Sequence, residues 1–404
     1  MKNSLSRNKN EDHMFFIVFF FIYILSNGFS IIFNATSLRS SLVSGIIFFS
    51  ILLLITNKLK LISINRKYLF YILMICIILF VQGLLSLIVD GDNGIDRCIL
   101  SIIALLVTII VSAFFTNLVV TTKEESLNIS IIRAYKFMTF IGGCSIILHL
   151  FGLTNRINMF IFFEPSHYAL VYLPLVLYMV YTANNNQKII YLFISLLLAI
   201  VIENSTLLIG VFLIFLLVYW KYKFKLLVIV IIGIILINTL SLEKIQYFTD
   251  RFNISMQSNN LSVLAWISGW ERAGISLIDS LGMGIGFQRL GYVGESGAAL
   301  DKIYRLMNGS YLTLKDGSTV GAKLIAENGV VGIFLIFWYL KYFFEITRLF
   351  VKHKIEDRKS IFYYSIYIMF FIQIFVRGTG YFSPASFLFF SSIYWLYKFK
   401  IQQK

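Results

Sequence analysis

The 404-residue chain is 58% hydrophobic and only 14% charged, and 35 basic against 20 acidic residues give it a net charge of +15. A soluble domain is roughly half apolar and a quarter charged, so no soluble fold could cover this much apolar surface. Apolar stretches close to the ~20 residues that a helix needs to cross a bilayer recur along the chain, without the alternation of barrel strands. The composition therefore predicts an all-α membrane protein.

Twelve apolar segments are predicted to be transmembrane helices of this polytopic protein. In chain order they are residues 14–34, 42–56, 68–89, 98–120, 136–153, 167–183, 188–202, 205–220, 225–241, 322–343, 361–376 and 384–398. The first follows a basic stretch, as a signal peptide would, but it is long and lacks a small-residue cleavage site. Only residues 203–206 separate the seventh segment from the eighth, so these two form either a tight hairpin or one interrupted helix.

Basic residues at the ends of the segments predict the topology. They concentrate before the first segment, after the last one and in alternate connections, at Lys2, Arg7, Lys58, Arg66, Lys123, Lys188, Lys221, Lys352 and Lys400. Because cytoplasmic loops carry an excess of lysine and arginine, both termini are predicted to lie in the cytoplasm. The net charge is therefore mainly a topological bias, and no nucleic-acid partner is predicted.

The predicted topology divides the chain into three parts. Residues 1–241 hold the first nine helices, residues 242–321 form one large extracytoplasmic loop, and residues 322–404 hold the last three helices. A loop of this length with balanced charge is expected to fold and to carry function.

Residues 163–168, between the fifth and sixth segments, have the sequence Phe-Glu-Pro-Ser-His-Tyr. Pro165 suits the start of a helix, which would hold Glu164 and His167 near the outer membrane surface. Of the four histidines, only His167 lies outside beside a carboxylate, so it is the natural general-base candidate. The same residues could instead be a simple helix cap.

An amphipathic helix is predicted at residues 261–280. Trp266 and Trp270 fall on one face and Arg272 on another. Tryptophan favours the membrane interface, so this helix is expected to lie flat on the bilayer with Arg272 at the level of the headgroups. The alternative is a helix that caps the transmembrane bundle, with Arg272 as a solvated charge.

Three alternate glycines, Gly282, Gly284 and Gly286, follow this helix. Glycines allow the backbone to approach a ligand closely, and N–H groups beside an arginine suit a phosphate, although alternate glycines also mark simple turns. Guanidinium groups bind phosphate in a bidentate fork, so the arginines of the predicted outer segments are candidate pyrophosphate ligands or surface charges. These arginines are Arg251, Arg272, Arg289 and Arg305 in the large loop and Arg377 between the last two segments.

Asp316 ends the large loop, and Glu327 follows inside an apolar stretch. A carboxylate at membrane depth is costly, which makes Glu327 a functional candidate, although it could instead pair with Lys323 four residues earlier or cap a re-entrant segment. Histidine and cysteine are scattered, so no metal site is predicted, and no cofactor is predicted either.

These motifs, in this order, resemble the Wzy-type O-antigen polymerases, which share a superfamily with the O-antigen ligases. The resemblance covers nearly the whole chain and rests on about twelve spans with a large late loop and on short motifs. The motifs are residues 163–166, Ser205-Thr206, residues 266–287, Asp316-Gly317-Ser318, residues 323–325, Glu327, Gly329 and Gly332.

The resemblance implies a metal-independent glycosyltransferase in the bacterial inner membrane, with its active site facing the periplasm. The growing glycan on undecaprenyl pyrophosphate would be transferred to the non-reducing end of a lipid-linked oligosaccharide repeat unit. Arg251, Arg272, Arg289 and Arg377 would bind the donor, and Glu164, His167 or Glu327 would orient or deprotonate the acceptor hydroxyl. Membrane lipids, a chain-length regulator and a flippase would be its partners.

One departure concerns the ligase branch, whose members usually carry a catalytic histidine late in the loop. Residues 305–311 contain no histidine, which favours a polymerase over a ligase and leaves the general base unassigned. A repeat-unit flippase is the non-enzyme alternative, but flippases usually place charges along a path within the membrane, whereas here they gather in the large loop.

Overall fold

A computed structural model describes residues 14–25, 38–56, 62–90, 94–153, 159–162, 164–220 and 243–400. All regular elements of these ranges are helices. They are α1 (Met14–Ile24), α2 (Leu38–Ile55), α3 (Arg66–Asp90), α4 (Ile95–Thr121), α5 (Glu124–Leu150), α6 (Pro165–Thr182), α7 (Asn185–Val201), α8 (Ser205–Val218), α9 (Glu243–Phe252), α10 (Leu261–Asp279), α11 (Ala298–Leu306), α12 (Val320–Val351), α13 (Arg358–Phe375) and α14 (Pro384–Lys400).

Eleven of the predicted apolar segments coincide with these helices, and the ninth, residues 225–241, lies outside the described residues. The fifth helix begins at Glu124 instead of residue 136, because acidic residues in its first turn complement the positive end of the helix dipole. The seventh and eighth segments are two packed helices, α7 and α8. Asn204 caps α8 by accepting a hydrogen bond from the Leu207 backbone N–H at 3.1 Å.

Apolar exposure identifies lipid as the surroundings of these helices. Within the described ranges, four helices are long and apolar enough to cross a membrane, namely Arg66–Leu87, Ile95–Thr121, Glu124–Leu150 and Val320–Val351, and four shorter helices are also apolar. On α3, large side chains such as Phe70, Ile77 and Val81 are more than 40% exposed. Water would disfavour such a surface, so the protein is an all-helical membrane protein.

Hydrogen bonds between helices complement the apolar packing of the bundle. The Thr116 and Ser391 hydroxyl oxygens of α4 and α14 lie 2.7 Å apart. The Tyr339 hydroxyl of α12 donates to the Tyr367 carbonyl of α13 at 3.0 Å, and the Tyr367 hydroxyl donates back to the Tyr339 carbonyl at 3.2 Å. In lipid, where apolar burial gives little drive for helix association, such bonds help to fix the arrangement of the helices.

The amphipathic helix forms where it is predicted, as α10, and it packs against the end of the bundle, as in the alternative interpretation of a helix that caps the bundle. The Trp266 indole donates to the Phe375 carbonyl at 2.9 Å, and the Trp270 ring stacks on the Phe375 ring. Arg272 is only 3% exposed and donates to the Leu314 carbonyl at 2.8 Å. Arg272 is therefore not the solvated charge of the second interpretation, because α10 packs against the end of the bundle and under the chain that leads into α12.

Helix α12 is interrupted at Gly329, whose backbone angles are φ 55° and ψ −130°. The backbone of residues 282–289, here called the glycine loop, satisfies the groups that the break releases. Ile285 N–H donates to the Ala326 carbonyl at 3.1 Å, and Gly286 N–H donates to the Glu327 carbonyl at 2.9 Å. The alternate glycines thus let the loop touch α12, and these two N–H groups are engaged within the protein instead of facing a phosphate.

We expect Gly329→Ala to destabilise the protein by about 1–3 kcal/mol or more, because its backbone angles strain any L side chain and an added Cβ would overlap the Gly282 carbonyl. Gly274→Ala is the matched control, since a Cβ at this position of α10 meets nothing within 4 Å. Thermal unfolding of the detergent-purified variants, followed by size-exclusion chromatography, measures the difference. Equal midpoints for the two variants would contradict the strain at Gly329.

Candidate functional site

The predicted site residues gather at one end of the bundle, where α6, α12 and α14 begin and where α3 and α13 end. Together with Gln288, Lys323 and Tyr381, their charged and titratable members form two adjoining groups. The buried cluster consists of Arg272, Gln288, Arg289, Lys323, Glu327 and Tyr381, and the rim cluster consists of Glu164, His167, Arg251, Asp316 and Arg377. The segment between Asp316 and Lys323 connects them, because Gly378 N–H, next to Arg377, donates to the Ser318 carbonyl at 2.8 Å.

An ion pair lies at the centre of the buried cluster. Glu327 is fully buried and Lys323 is 3% exposed, with 3.7 Å between the Lys323 Nζ and Glu327 Oε1 atoms. The Lys323 ammonium also donates to the Lys315 carbonyl at 2.7 Å and lies over the Tyr381 ring. The spacing of four residues predicted this Lys323–Glu327 pair as one alternative, and it forms on the part of α12 that precedes Gly329.

The Glu327 carboxylate faces the backbone N–H groups of Gln288 and Leu290 and the Tyr381 hydroxyl. Neither of its oxygens completes a hydrogen bond of good geometry. A buried carboxylate in this position depends on nearby positive charge, since the idealised cost of removing an ion from water is of order 20 kcal/mol. Lys323 supplies that charge.

Two arginines of the buried cluster extend it toward α3 and α10. Arg289 is fully buried, and its guanidinium donates to the Ser86 hydroxyl of α3 at 2.6 Å. Burial lowers the pKa of Arg272 to about 10, and the nearby Glu327 carboxylate opposes this shift. The Arg272 guanidinium therefore carries charge at neutral pH, inside the protein.

Helix α3 contributes polar side chains that sequence reasoning missed. Gln82 donates to the Met283 carbonyl and, at 3.1 Å, to the Glu327 carbonyl, and Ser86 accepts the bond from Arg289. The available signal was their spacing, since two polar residues four positions apart lie on one face of an otherwise apolar helix.

A cationic network that sequence reasoning also missed covers the outer side of the buried cluster. The Tyr292 hydroxyl accepts hydrogen bonds from Arg97 at 2.6 Å and from Lys315 at 3.1 Å. The bond from Lys315, together with that from Arg97, lowers the pKa of Tyr292 despite partial burial. Arg97 also donates to the Gln288 side chain at 3.4 Å. The available signal was a basic residue at the outer end of the fourth segment, against the predicted charge bias.

The rim cluster contains the more accessible titratable groups. Arg377 pairs with Glu164, with 2.8 Å between the Arg377 Nη2 and Glu164 Oε2 atoms, and the Glu164 side chain is 44% exposed. Burial alone would raise the pKa of Glu164, but the Arg377 charge and the hydrogen bonds from Ser166 and Arg377 lower it. The charges of Glu164, Arg377 and Asp316 all act on the His167 imidazole, so these side chains are neighbours.

Arg251 joins the rim through the hairpin of α7 and α8. Its guanidinium donates to the Ser205 hydroxyl at 3.1 Å. The preceding residue, Asn204, donates to the Pro165 carbonyl at 2.5 Å, which attaches the hairpin to the chain beside Glu164. The structure therefore brings all ten predicted site residues to the same end, with Gly284 and Gly286 supporting the glycine loop.

In chemical terms, the buried cluster is rich in positive charge, and the rim brings a carboxylate, an arginine and an imidazole together. Arg272, Arg289 and Lys323 share the buried cluster with a single carboxylate, that of Glu327, which leaves a positive balance suited to phosphate groups. Among the residues that the structure describes, no group of three or more histidine, cysteine, aspartate or glutamate side chains is arranged to hold a metal ion. Comparisons of the chain with protein-family models, with curated proteins and with solved structures found no match.

We expect Lys323→Met to cost roughly 3–5 kcal/mol of stability, because it leaves the buried Glu327 carboxylate without its cation. The double variant Lys323→Met/Glu327→Met removes both charges, so it should unfold at a higher temperature than the single variant. Thermal unfolding in detergent measures both. A double variant no more stable than Lys323→Met would show that the ion pair does not govern stability here.

We expect Glu164→Gln to lower the thermal midpoint modestly at pH 7, by an amount equivalent to about 0.5–1 kcal/mol, because the ion pair is partly exposed. The folded-state pKa of Glu164 lies below its unfolded value of roughly 4.3, so the stabilisation is full above that pH. It is lost as the pH falls through the folded-state pKa. The difference between wild type and variant should therefore vanish in acid, and a constant difference would assign it to packing.

Proposed function

We propose that this chain is a Wzy-type O-antigen polymerase of the bacterial inner membrane, with about twelve transmembrane helices and both termini in the cytoplasm. The observation that carries the proposal is the convergence of the predicted site residues, since Glu164, Arg289, Asp316, Glu327 and Arg377 come from distant parts of the sequence and meet at one end of the bundle. By the charge bias of the connections, that end faces the periplasm.

The buried cluster suits the leaving group of the proposed reaction. The donor is a growing glycan attached to undecaprenyl pyrophosphate, and its pyrophosphate becomes more negative as the bond to the anomeric carbon breaks. Arg272, Arg289 and Lys323 hold fixed positive charge in a site from which water is excluded, where such charge stabilises a developing anion most strongly. Arg97, Lys315 and the rim residues Arg251 and Arg377 extend this charge toward the acceptor side.

The rim cluster suits the acceptor, a newly exported lipid-linked repeat unit. Its non-reducing-end hydroxyl attacks the anomeric carbon of the donor, a glycosidic bond forms, and the bond to pyrophosphate breaks. His167 is the proposed general base that takes the proton of the hydroxyl. Glu164, which is held by Arg377, is proposed to orient the same hydroxyl. Glu327 pairs with Lys323 in the buried cluster, so its proposed role is to position Lys323. A chain-length regulator and a flippase are the proposed partners.

Deletion of the gene in its host tests the function directly, by a lipopolysaccharide gel before and after complementation. We expect the ladder of chain lengths to collapse to core plus one repeat unit. If only bare core remains, the ligase or flippase interpretation replaces the polymerase.

Complementation with variants tests the roles of the residues. We expect Arg289→Gln and His167→Gln to leave short chains only, because loss of a general base typically costs 10²–10⁴-fold in rate. Arg289→Lys, which keeps the charge, should restore part of the ladder. Arg305→Gln, which removes an exposed arginine of the same loop, is the control and should give full-length polymer. Membrane levels of tagged protein separate lost activity from lost folding, and a full ladder in every variant would reject the assignments.

A further inference from the structure

A second polar site lies at the opposite end of the bundle, where α3 begins and α14 ends. It is a cavity of about 640 Å³, and none of its nine lining residues is acidic. Three of them are basic, Arg66, Lys67 and Lys398, and the polar residues that shape it are Asn65, Asn117 and Tyr397. The proposed function uses none of these residues.

Lys398 is held at the cavity by an oriented amide. Its ammonium donates to the Asn117 side-chain oxygen at 3.0 Å, and the Asn117 side-chain nitrogen donates to the Ser63 carbonyl at 2.7 Å. Asn117 is only 7% exposed, so this contact holds the lysine in the cavity wall, whereas a lysine at a membrane surface usually extends into water. An ammonium has three N–H donors, and Asn117 accepts one of them.

The opposite wall is also fixed by specific contacts. The Asn65 side chain accepts a hydrogen bond from the Lys67 backbone N–H at 2.9 Å and one from the Tyr397 hydroxyl at 3.4 Å. The Tyr68 ring packs against the rings of Tyr394 and Tyr397, which line the cavity, at centroid distances of 4.6 Å and 5.1 Å. The three basic groups therefore surround a shaped space.

The charge arrangement of this cavity is unfavourable when no anion is present. Arg66 and Lys67 occupy the first turn of α3, which contains no acidic residue. Cations at a helix N-terminus oppose the helix dipole, and Lys398 adds a third positive charge. A positive-inside bias accounts for basic residues at this end, but it does not require them to line one cavity with an oriented amide.

We infer that this cavity binds a phosphate-bearing anion, namely the headgroup of an anionic phospholipid of the cytoplasmic leaflet. The basic groups and the α3 N-terminus bind the phosphate, and the apolar surface of α3 beside the cavity, where Phe70 is 59% and Tyr71 55% exposed, meets the acyl chains. The leaflet follows from the charge-derived topology, whereas binding itself is independent of the proposed catalysis.

Native mass spectrometry of the purified full-length protein tests the inference, with phosphatidylglycerol as the probe and phosphatidylcholine as the reference lipid. We expect Arg66→Gln/Lys398→Gln to reduce the ratio of phosphatidylglycerol-bound to free protein at least about tenfold, since each basic group contributes severalfold to anionic lipid binding. Lys352→Gln/Lys354→Gln removes two exposed lysines elsewhere on the same predicted side and should leave the ratio unchanged. An equal loss in both double variants, or in neither, would overturn the inference.

Glycerol 3-phosphate, tested by thermal shift on the protein in phosphatidylcholine nanodiscs, distinguishes the source of the phosphate. No shift at millimolar concentration supports the lipid headgroup, because the soluble ligand lacks acyl chains. A shift in wild type that disappears in Arg66→Gln/Lys398→Gln would overturn the lipid assignment and identify a soluble phosphate ligand. Unchanged chromatographic profiles and midpoints in phosphatidylcholine alone confirm that both double variants fold.

Discussion

The contact between the glycine loop and the interrupted helix α12 is the constraint on which the candidate site depends. A helix broken at Gly329 leaves backbone groups without partners inside the helix, and lipid offers none. The loop supplies them through Ile285 and Gly286. The same contact brings Arg289 against α3 and encloses the Glu327 carboxylate. One contact therefore both supplies hydrogen bonds to the backbone of α12 and gathers the charged side chains of the site.

Most helices could be predicted from the sequence because the transfer of apolar side chains into lipid dominates the free energy of a membrane helix. A long run of apolar residues therefore indicates such a helix directly. The short helices α9 and α11 could not, since neither is apolar along its length and each depends on its neighbours. The early start of α5 was missed for a related reason. Its first turns carry Glu124 and Glu125, which an apolarity criterion excludes although they favour a helix N-terminus.

The site divides in the same way. Glu327 and the arginines could be predicted because charge at or near membrane depth is costly and therefore conspicuous. Their partners Gln82, Ser86 and Tyr292 could not, because uncharged polar residues are common in and beside membrane helices and their contacts span about 200 positions of the chain. The burial of Arg272 could not be predicted, because a charge on the polar face of an amphipathic helix is usually solvated, and its partner, the Leu314 carbonyl, lies 42 positions away in the sequence.

Gln82 donates a hydrogen bond to the glycine loop and Ser86 accepts one from it, and both contacts affect whether the large loop could be transferred to another protein. The large loop is continuous in sequence, which makes it look like a transplantable cassette. However, the buried Arg289 of the loop donates a hydrogen bond to the Ser86 hydroxyl of α3. The loop backbone also supplies the hydrogen bonds that are missing where α12 is interrupted. If the loop alone were transferred, these polar groups would lose their partners in both proteins. A functional transfer would therefore need α3, the loop and the part of α12 before Gly329 together.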